Sequence, residues 1–323
     1  MSRAATPSPN EVLKATPSLR REIDCCYTAR MRRGLLALRI LSFLIISCAV
    51  LSCGSRVARL MPWGGGTPKV ALVLTGGVAR GFAHVGVIRV LERQKIPIDI
   101  IVGADTGSLI GAIYADRKSA SELERIALAL EEGDIFDYNF INPTQGFARG
   151  ERLEDFLVKR LTARDIERLR MPFAAVATDL ATGASVALTS GSLARAVRAS
   201  TAIPGIFAPV AHEGKLLTDG SVLDNVPIGA ARKLGADVVI AVDLTDGMPA
   251  AQAKNTFETL LQSLFLATRQ SSALELRQAD VVIRPKLGSA GLMDFTRKKE
   301  LVALGMAATE EALPAIRNKI GIK

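Results

Sequence analysis

Residues 100–115 read I-I-V-G-A-D-T-G-S-L-I-G-A-I-Y-A, from Ile100 to Ala115. The apolar run Ile98 to Val102, rich in Ile and Val, predicts a buried strand, and Ser108 to Ala115 predicts a helix carrying Leu109, Ile110, Ile113 and Tyr114. Gly103 and Gly107 stand two residues either side of Asp105. Glycines so placed let the chain turn sharply from strand to helix and lift the central side chain to the tip, the geometry of a nucleophile elbow. That elbow is written G-x-S-x-G; here its tip is an aspartate.

The same alternation precedes the elbow. Val70 to Leu74 (V-A-L-V-L) is a continuous apolar run suited to a central parallel strand, and it ends in T-G-G-V-A-R-G, Thr75 to Gly81. F-A-H-V-G-V-I-R-V-L-E-R follows with helical spacing. Two consecutive βα units predict a parallel sheet covered on both faces, hence an α/β/α three-layer domain with a mostly parallel sheet. Further strands are expected at Phe173 to Leu180, at Val186 to Leu188 across the turn A-T-G, at Asp237 to Leu244 and at Val281 to Pro285. A long helix lies between the last two, an amphipathic helix closes the chain, and K-L-L-T-D-G-S leads to a loop at Asp219.

At 323 residues and 49% hydrophobic, the chain can bury one large core. Its net charge is +9, but residues 1–52 hold eight Lys/Arg against three Asp/Glu, so more than half the excess sits in the N-terminal sixth. With aromatics at 5% and no basic-aromatic stripe, nucleic acid is not an expected partner. All four cysteines, Cys25, Cys26, Cys48 and Cys53, precede the domain, which therefore has neither a disulfide framework nor a cysteine metal site.

Four segments are expected. Residues 1–30 show no periodicity and read as a disordered extension. Residues 31–53 read as a signal segment: Met31 opens a basic stretch, and Ile40 to Cys53 is a 14-residue apolar run, short for a membrane-spanning helix of roughly 20 residues. V-L-S-C at Cys53 and I-I-S-C at Cys48 resemble the bacterial lipobox, which implies a lipidated cysteine and a periplasm-facing place on the bacterial cell envelope; an uncleaved inner-membrane anchor is the alternative. Residues 54–68 read as a linker, and 69–323 as the domain with its C-terminal helix.

Within 69 to about 310, the glycine loop with R-G-F-A-H-V-G-V-I, the elbow, A-T-D-L-A-T-G, R-A-S-T-A-I-P-G-I-F-A-P-V and T-D-G-S-V-L-D-N-V-P-I occur in the order and spacing of a bacterial patatin-like phospholipase domain, which the chain resembles. The resemblance implies a lipid or ester ligand, no cofactor, and a Ser-Asp dyad assisted by glycine-loop N–H groups that hold the oxyanion. Carried over, Gly76, Gly77, Val78, Arg80 and Gly81 fall on the oxyanion loop, Asp219 and Gly220 on the base loop, and Asp105 on the nucleophile position. Thr75 and Val78 stand where glycine is common, and Ser221 where Gly or Ala is usual.

A carboxylate attacking an ester forms a mixed anhydride more reactive than its precursor, so ordinary acyl transfer is disfavoured at Asp105. Two facing carboxyls also resist joint ionisation, so either one of Asp105 and Asp219 is expected to hold its proton unusually firmly or a cation to sit between them. Two functional classes follow: a lipid-binding or scaffold protein that has lost serine-type hydrolysis, and an active lipid acyl hydrolase with non-standard chemistry. The structural reading of Asp105 is a helix N-cap. Arg80 either faces a ligand or pairs with a carboxylate; His84 packs; Asp179 and Asp243 cap loops; Asp224 and Asn225 fix the turn before Pro227. A dinucleotide site is disfavoured because Val78 would crowd a pyrophosphate at the second glycine position.

Overall fold

The computed structural model describes residues 67–137, 148–245, 256–288 and 290–322. The expected extension, signal segment, lipidation cysteines and most of the linker lie outside them, as does the loop around Asn142 and Pro143.

Eight strands form one sheet. In chain order they are β1 (Val70–Leu74), β2 (Ile100–Ala104), β3 (Phe173–Asp179), β4 (Ala184–Leu188), β5 (Val210–His212), β6 (Lys215–Asp219), β7 (Val238–Val242) and β8 (Val281–Ile283). Their spatial order is β5-β6-β3-β2-β1-β7-β8, with β4 also on β3. Strands β3, β2, β1, β7 and β8 run parallel, β4 and β6 run against them, and the edge strand β5, antiparallel to β6, again runs with them. All five residues of β1 are fully buried, as expected of a strand covered on both faces. Val70, Leu72 and Leu74 pack in one core with the helices α1 (Phe82–Arg93) and α2 (Thr106–Arg117). Ala71 and Val73 point the other way, into a smaller core with Ile228 and Ala231 of α7 (Ile228–Lys233).

The remaining helices are α3 (Ala120–Leu128), the single turn α4 (Glu132–Ile135), α5 (Glu151–Arg160), α6 (Leu193–Ser200), α8 (Thr256–Glu275) and α9 (Lys298–Ile320). The closing helix α9 lies along α1 at backbone contact: a Cβ on Gly86 would sit 1.9 Å from the Val302 carbonyl oxygen, and one on Gly305 2.0 Å from that of Ala83. Among the described residues no helix is long and apolar enough to cross a membrane.

Strand β2 runs two residues later than its apolar pattern predicts, so Gly103 and Ala104 belong to it. The hairpin β5-β6, not among the expected strands, leads to the turn that follows Asp219, and it fixes the site. On one edge of β3, β2 pairs as far as Ala104 with Val176, and β6 takes over with Asp219 opposite Ala177. The two strands therefore meet end to end. The residue that leaves β2 and the residue that ends β6 are brought together at adjacent positions of β3.

Candidate functional site

The elbow forms as the glycine spacing predicts. Asp105 has φ 48° and ψ −129°, a conformation an L residue adopts only under constraint. The constraint comes from packing: a Cβ on Gly103 would lie 2.4 Å from the Gly107 backbone, and one on Gly107 2.1 Å from the Leu74 carbonyl oxygen. Only glycines allow β1, β2 and α2 to close this tightly around the tip.

Asp105 occupies the position that precedes α2, but its side chain does not cap that helix. Instead, its Oδ2 accepts from the N–H groups of Gly77 at 2.9 Å and Val78 at 3.1 Å, and from Thr106 Oγ1 at 3.3 Å. This corrects the N-cap expectation. Backbone donors converging from a glycine loop outcompete the helix end for the carboxylate. Ser108, three residues on, donates its hydroxyl to the Asp105 carbonyl at 2.7 Å and is fully buried, so it offers no second nucleophile.

The other N–H groups of the loop are also spoken for. Gly76 N–H donates to Asn225 Oδ1 at 2.8 Å, Ala79 N–H to the Leu292 carbonyl and Arg80 N–H to the Gly77 carbonyl, both at 2.9 Å. Thr75 is fixed from two sides, its hydroxyl donating to Val242 O at 2.8 Å and its carbonyl accepting from His84 Nε2 at 2.8 Å. His84 is fully buried, which pushes its pKa down to about 4 and leaves it neutral, with the proton on Nε2. Val78 takes φ 49°, strained for a β-branched side chain and the kind of backbone where glycine is at ease.

Several assignments change. Arg80 is buried and donates to the carbonyls of Leu244 at 2.9 Å and Gly288 at 3.5 Å, so it is a strut behind the loop and not a ligand-facing cation. Gly81 admits Thr106: a Cβ there would come within 2.2 Å of Thr106 Cγ2. Asn225 does more than fix a turn. It is 1% exposed, holds Gly76 through Oδ1 and donates from Nδ2 to Ser272 Oγ at 2.8 Å. Nothing local in D-N-V-P reports that bond, which spans 149 residues. Asp179 and Asp243 do cap loops, accepting from Ala181 N–H and from Thr245 N–H respectively.

Asp219 is 2% exposed, and its Oδ1 accepts from Ser221 N–H at 2.7 Å and Ser221 Oγ at 2.6 Å. No hydrogen bond joins it to Asp105. Burial raises both pKa values, but they are compensated differently. The bonds from Gly77, Val78 and Thr106 pull Asp105 back, whereas the Asp105 charge adds to burial in pushing Asp219 well above the carboxylate range. Burial and the neighbouring Asp105 charge thus make Asp219 hold its proton more firmly, which leaves it less available as a base. Gly220 lets this loop lie on β3, since a Cβ there would meet the Val176 carbonyl oxygen at 2.1 Å.

Beside Asp105 opens a small apolar cavity of about 30 Å³, lined by Phe82, Leu109, Ile110, Phe136, Phe207 and Phe295. That is room for about one water and not for an acyl chain. Phe136 and Phe207 stack across it at 5.3 Å between ring centroids.

The sequence model of the patatin-like phospholipase family matches residues 72–232, a span that holds the glycine loop, the elbow and Asp219. An uncharacterized NTE family protein of Mycobacterium tuberculosis is 37% identical over 201 residues, 61% of this chain and 55% of that protein. The patatin-like phospholipase domain-containing protein 7 of Mus musculus is 32% identical over 285 residues, 78% of this chain and 21% of its own length. A lysophospholipase of Pyricularia oryzae is 29% identical over 281 residues, covering 78% of this chain and 19% of that protein. The chain thus spans about half of the mycobacterial relative and about a fifth of the other two. Among solved structures, VipD from Legionella pneumophila superposes with a TM-score of 0.55 at 17% identity, over 77% of this chain and 67% of that one, a likeness of fold.

Proposed function

We propose, from the match of residues 72–232 to the patatin-like phospholipase family, that the domain belongs to that family and binds a lipid or lipid ester at the elbow without serine-type hydrolysis. The observation that carries this reading is the pair of hydrogen bonds from Gly77 and Val78 N–H to Asp105 Oδ2. Donors that in a serine hydrolase meet the developing oxyanion are here satisfied by a resident carboxylate. The same atom thereby removes the nucleophile and fills the oxyanion hole.

Two further features support it. Attack by Asp105 on an ester would exchange a stable ester for an anhydride, and burial beside the Asp105 charge makes Asp219 hold more firmly the proton that a base must first give up. The lining of the small cavity beside Asp105 is apolar, the chemistry of a lipid chain, although at about 30 Å³ it does not hold one as it stands. We further propose attachment to a bacterial envelope membrane through lipidated Cys53 or Cys48, which the mass of the mature N-terminus tests.

The decisive experiment measures hydrolysis of a nitrophenyl ester and of a phospholipid by the wild type, Asp219→Asn, Asp105→Ser, and Asp105→Ser combined with Asp219→Asn. The expected result is a silent wild type, turnover in Asp105→Ser, and loss of that turnover when Asp219 is also replaced. Wild-type turnover abolished by Asp219→Asn would overturn the reading and establish the alternative, an acyl hydrolase working through a carboxylate.

A further inference from the structure

Helix α8 sets Leu261 partly buried against the main core, yet it also buries polar side chains and exposes leucines. Among its described side chains the buried ones are Thr268 and Ser272, while Leu260, Leu266 and Leu274 are 62%, 53% and 58% exposed. A surface helix normally turns its leucines inward.

The inner stripe is polar for a reason. Thr268, Ser272 and Glu275 follow one another at four and three residues and so share a face. Thr268 Oγ1 donates to Ser221 O at 3.1 Å, Ser272 Oγ accepts from Asn225 Nδ2 at 2.8 Å, and Glu275 Oε2 accepts from Val226 N–H at 2.9 Å. One helix face thus holds the base loop and, through Asn225, the glycine loop. The outward leucines are left with no part in this.

What meets them is constrained by charge and area. From Leu260 to Leu274 the helix contains no carboxylate; its single ion is the exposed Arg269, and the exposed Arg277 follows the helix. Three half-exposed leucines make a patch of roughly 300 Å². That falls well short of the ~800 Å² per partner of a stable protein interface. It suffices for a helix lying in a lipid headgroup layer, where leucines insert and arginines meet phosphates.

We propose that the outer face of α8 docks on an anionic lipid surface, with Leu260, Leu266 and Leu274 inserted and Arg269 and Arg277 on the headgroup phosphates. This goes beyond the reading of the Asp105 site, because none of these side chains touches that site and docking requires no turnover. It does place the lipid surface on the element that holds Asn225 and Ser221 in position.

The test uses the full chain with Trp63→Phe, which removes its one tryptophan, and a single reporter, Leu266→Trp. The control reporter is Val158→Trp, at an exposed apolar position on α5. Vesicles contain equal parts phosphatidylcholine and phosphatidylglycerol, with or without bromine on the phosphatidylcholine chains. Because quenching is local, insertion of the N-terminal apolar run does not imitate docking by α8. The reporter at 266 is expected to shift to the blue and be quenched by the brominated lipid, the one at 158 to do neither. Arg269→Glu with Arg277→Glu should then lower vesicle affinity at 266. No quenching at 266, or equal quenching at both positions, overturns the proposal. So does a blue shift at 266 that follows protein concentration without vesicles, which would make the face a contact between copies.

Discussion

Replacing Asn225 by alanine removes a side chain that joins the glycine loop to α8 by hydrogen bonds at both ends. The Gly76 N–H is buried, and with Oδ1 gone it has lost its acceptor, an orphaned donor costing about 1–3 kcal/mol. The bond from Nδ2 to Ser272 Oγ goes too, a net loss of about 1 kcal/mol, although Ser272 keeps its own donation to Thr268 O at 2.7 Å. Together these give a destabilisation of about 3 kcal/mol, which for a domain this size lowers Tm by roughly 6–12 °C. Asn225→Asp keeps an acceptor for Gly76 yet should be worse than alanine. Asn225 Oδ1 and Asp105 Oδ2 each lie 3.0 Å from the point where a Gly76 Cβ would sit, so the aspartate would add a third buried carboxyl beside two already repelling each other. Denaturant unfolding followed by circular dichroism ranks the three proteins. A loss for Asn225→Ala of less than about 0.5 kcal/mol, the scale of an ordinary surface change, would refute Asn225 as the anchor of the loop. So would an Asp variant as stable as the wild type.

The carboxyl pair should also write itself into the pH dependence of stability. The Asp219 pKa is raised on folding, so its contribution is fully present below the ordinary value of 3.8 and is lost as pH rises through the folded value. Asp219→Asn should therefore gain stability relative to the wild type as pH rises above the ordinary value of 3.8, and a flat difference in parallel denaturation curves would count against the raised pKa. At the elbow, Gly107→Ala would drive a methyl group to 2.1 Å from the Leu74 carbonyl oxygen, backbone against backbone. A loss of about 3 kcal/mol or more is expected from the midpoint of unfolding, and a change within experimental error would mean the elbow is looser than its geometry implies.

The frame was readable from the chain because its signals are local. Val70 to Leu74, the elbow glycines and the apolar runs at 173 and 238 each declare a strand within a few residues. The site was legible as a set of positions and not as an arrangement. Asp105 and Asp219 are named by their loops, but what brings them together is the end-to-end meeting of β2 and β6 on β3, and β6 does not announce itself in K-L-L-T-D, where two of five residues are exposed. The capture of the Asp105 carboxylate by Gly77 and Val78, against the rival capping of α2, depends on a loop 27 and 28 residues earlier. Asn225 and the inverted face of α8 escape periodicity altogether, because polar residues on the inside of a helix look, by pattern, like its outside.

The order of the strands has a consequence for how the chain matures. Strand β1 lies mid-sheet between β2, which follows it closely, and β7, which comes more than 160 residues later. The Thr75 hydroxyl waits for Val242, the Gly76 amide for Asn225, and α1, directly behind the loop, for the backbone of α9 at Val302. During synthesis the loop that opens the domain is thus among the last parts to be secured, and a ribosome stalled before the final helix displays every residue of the elbow without the wall that seats it.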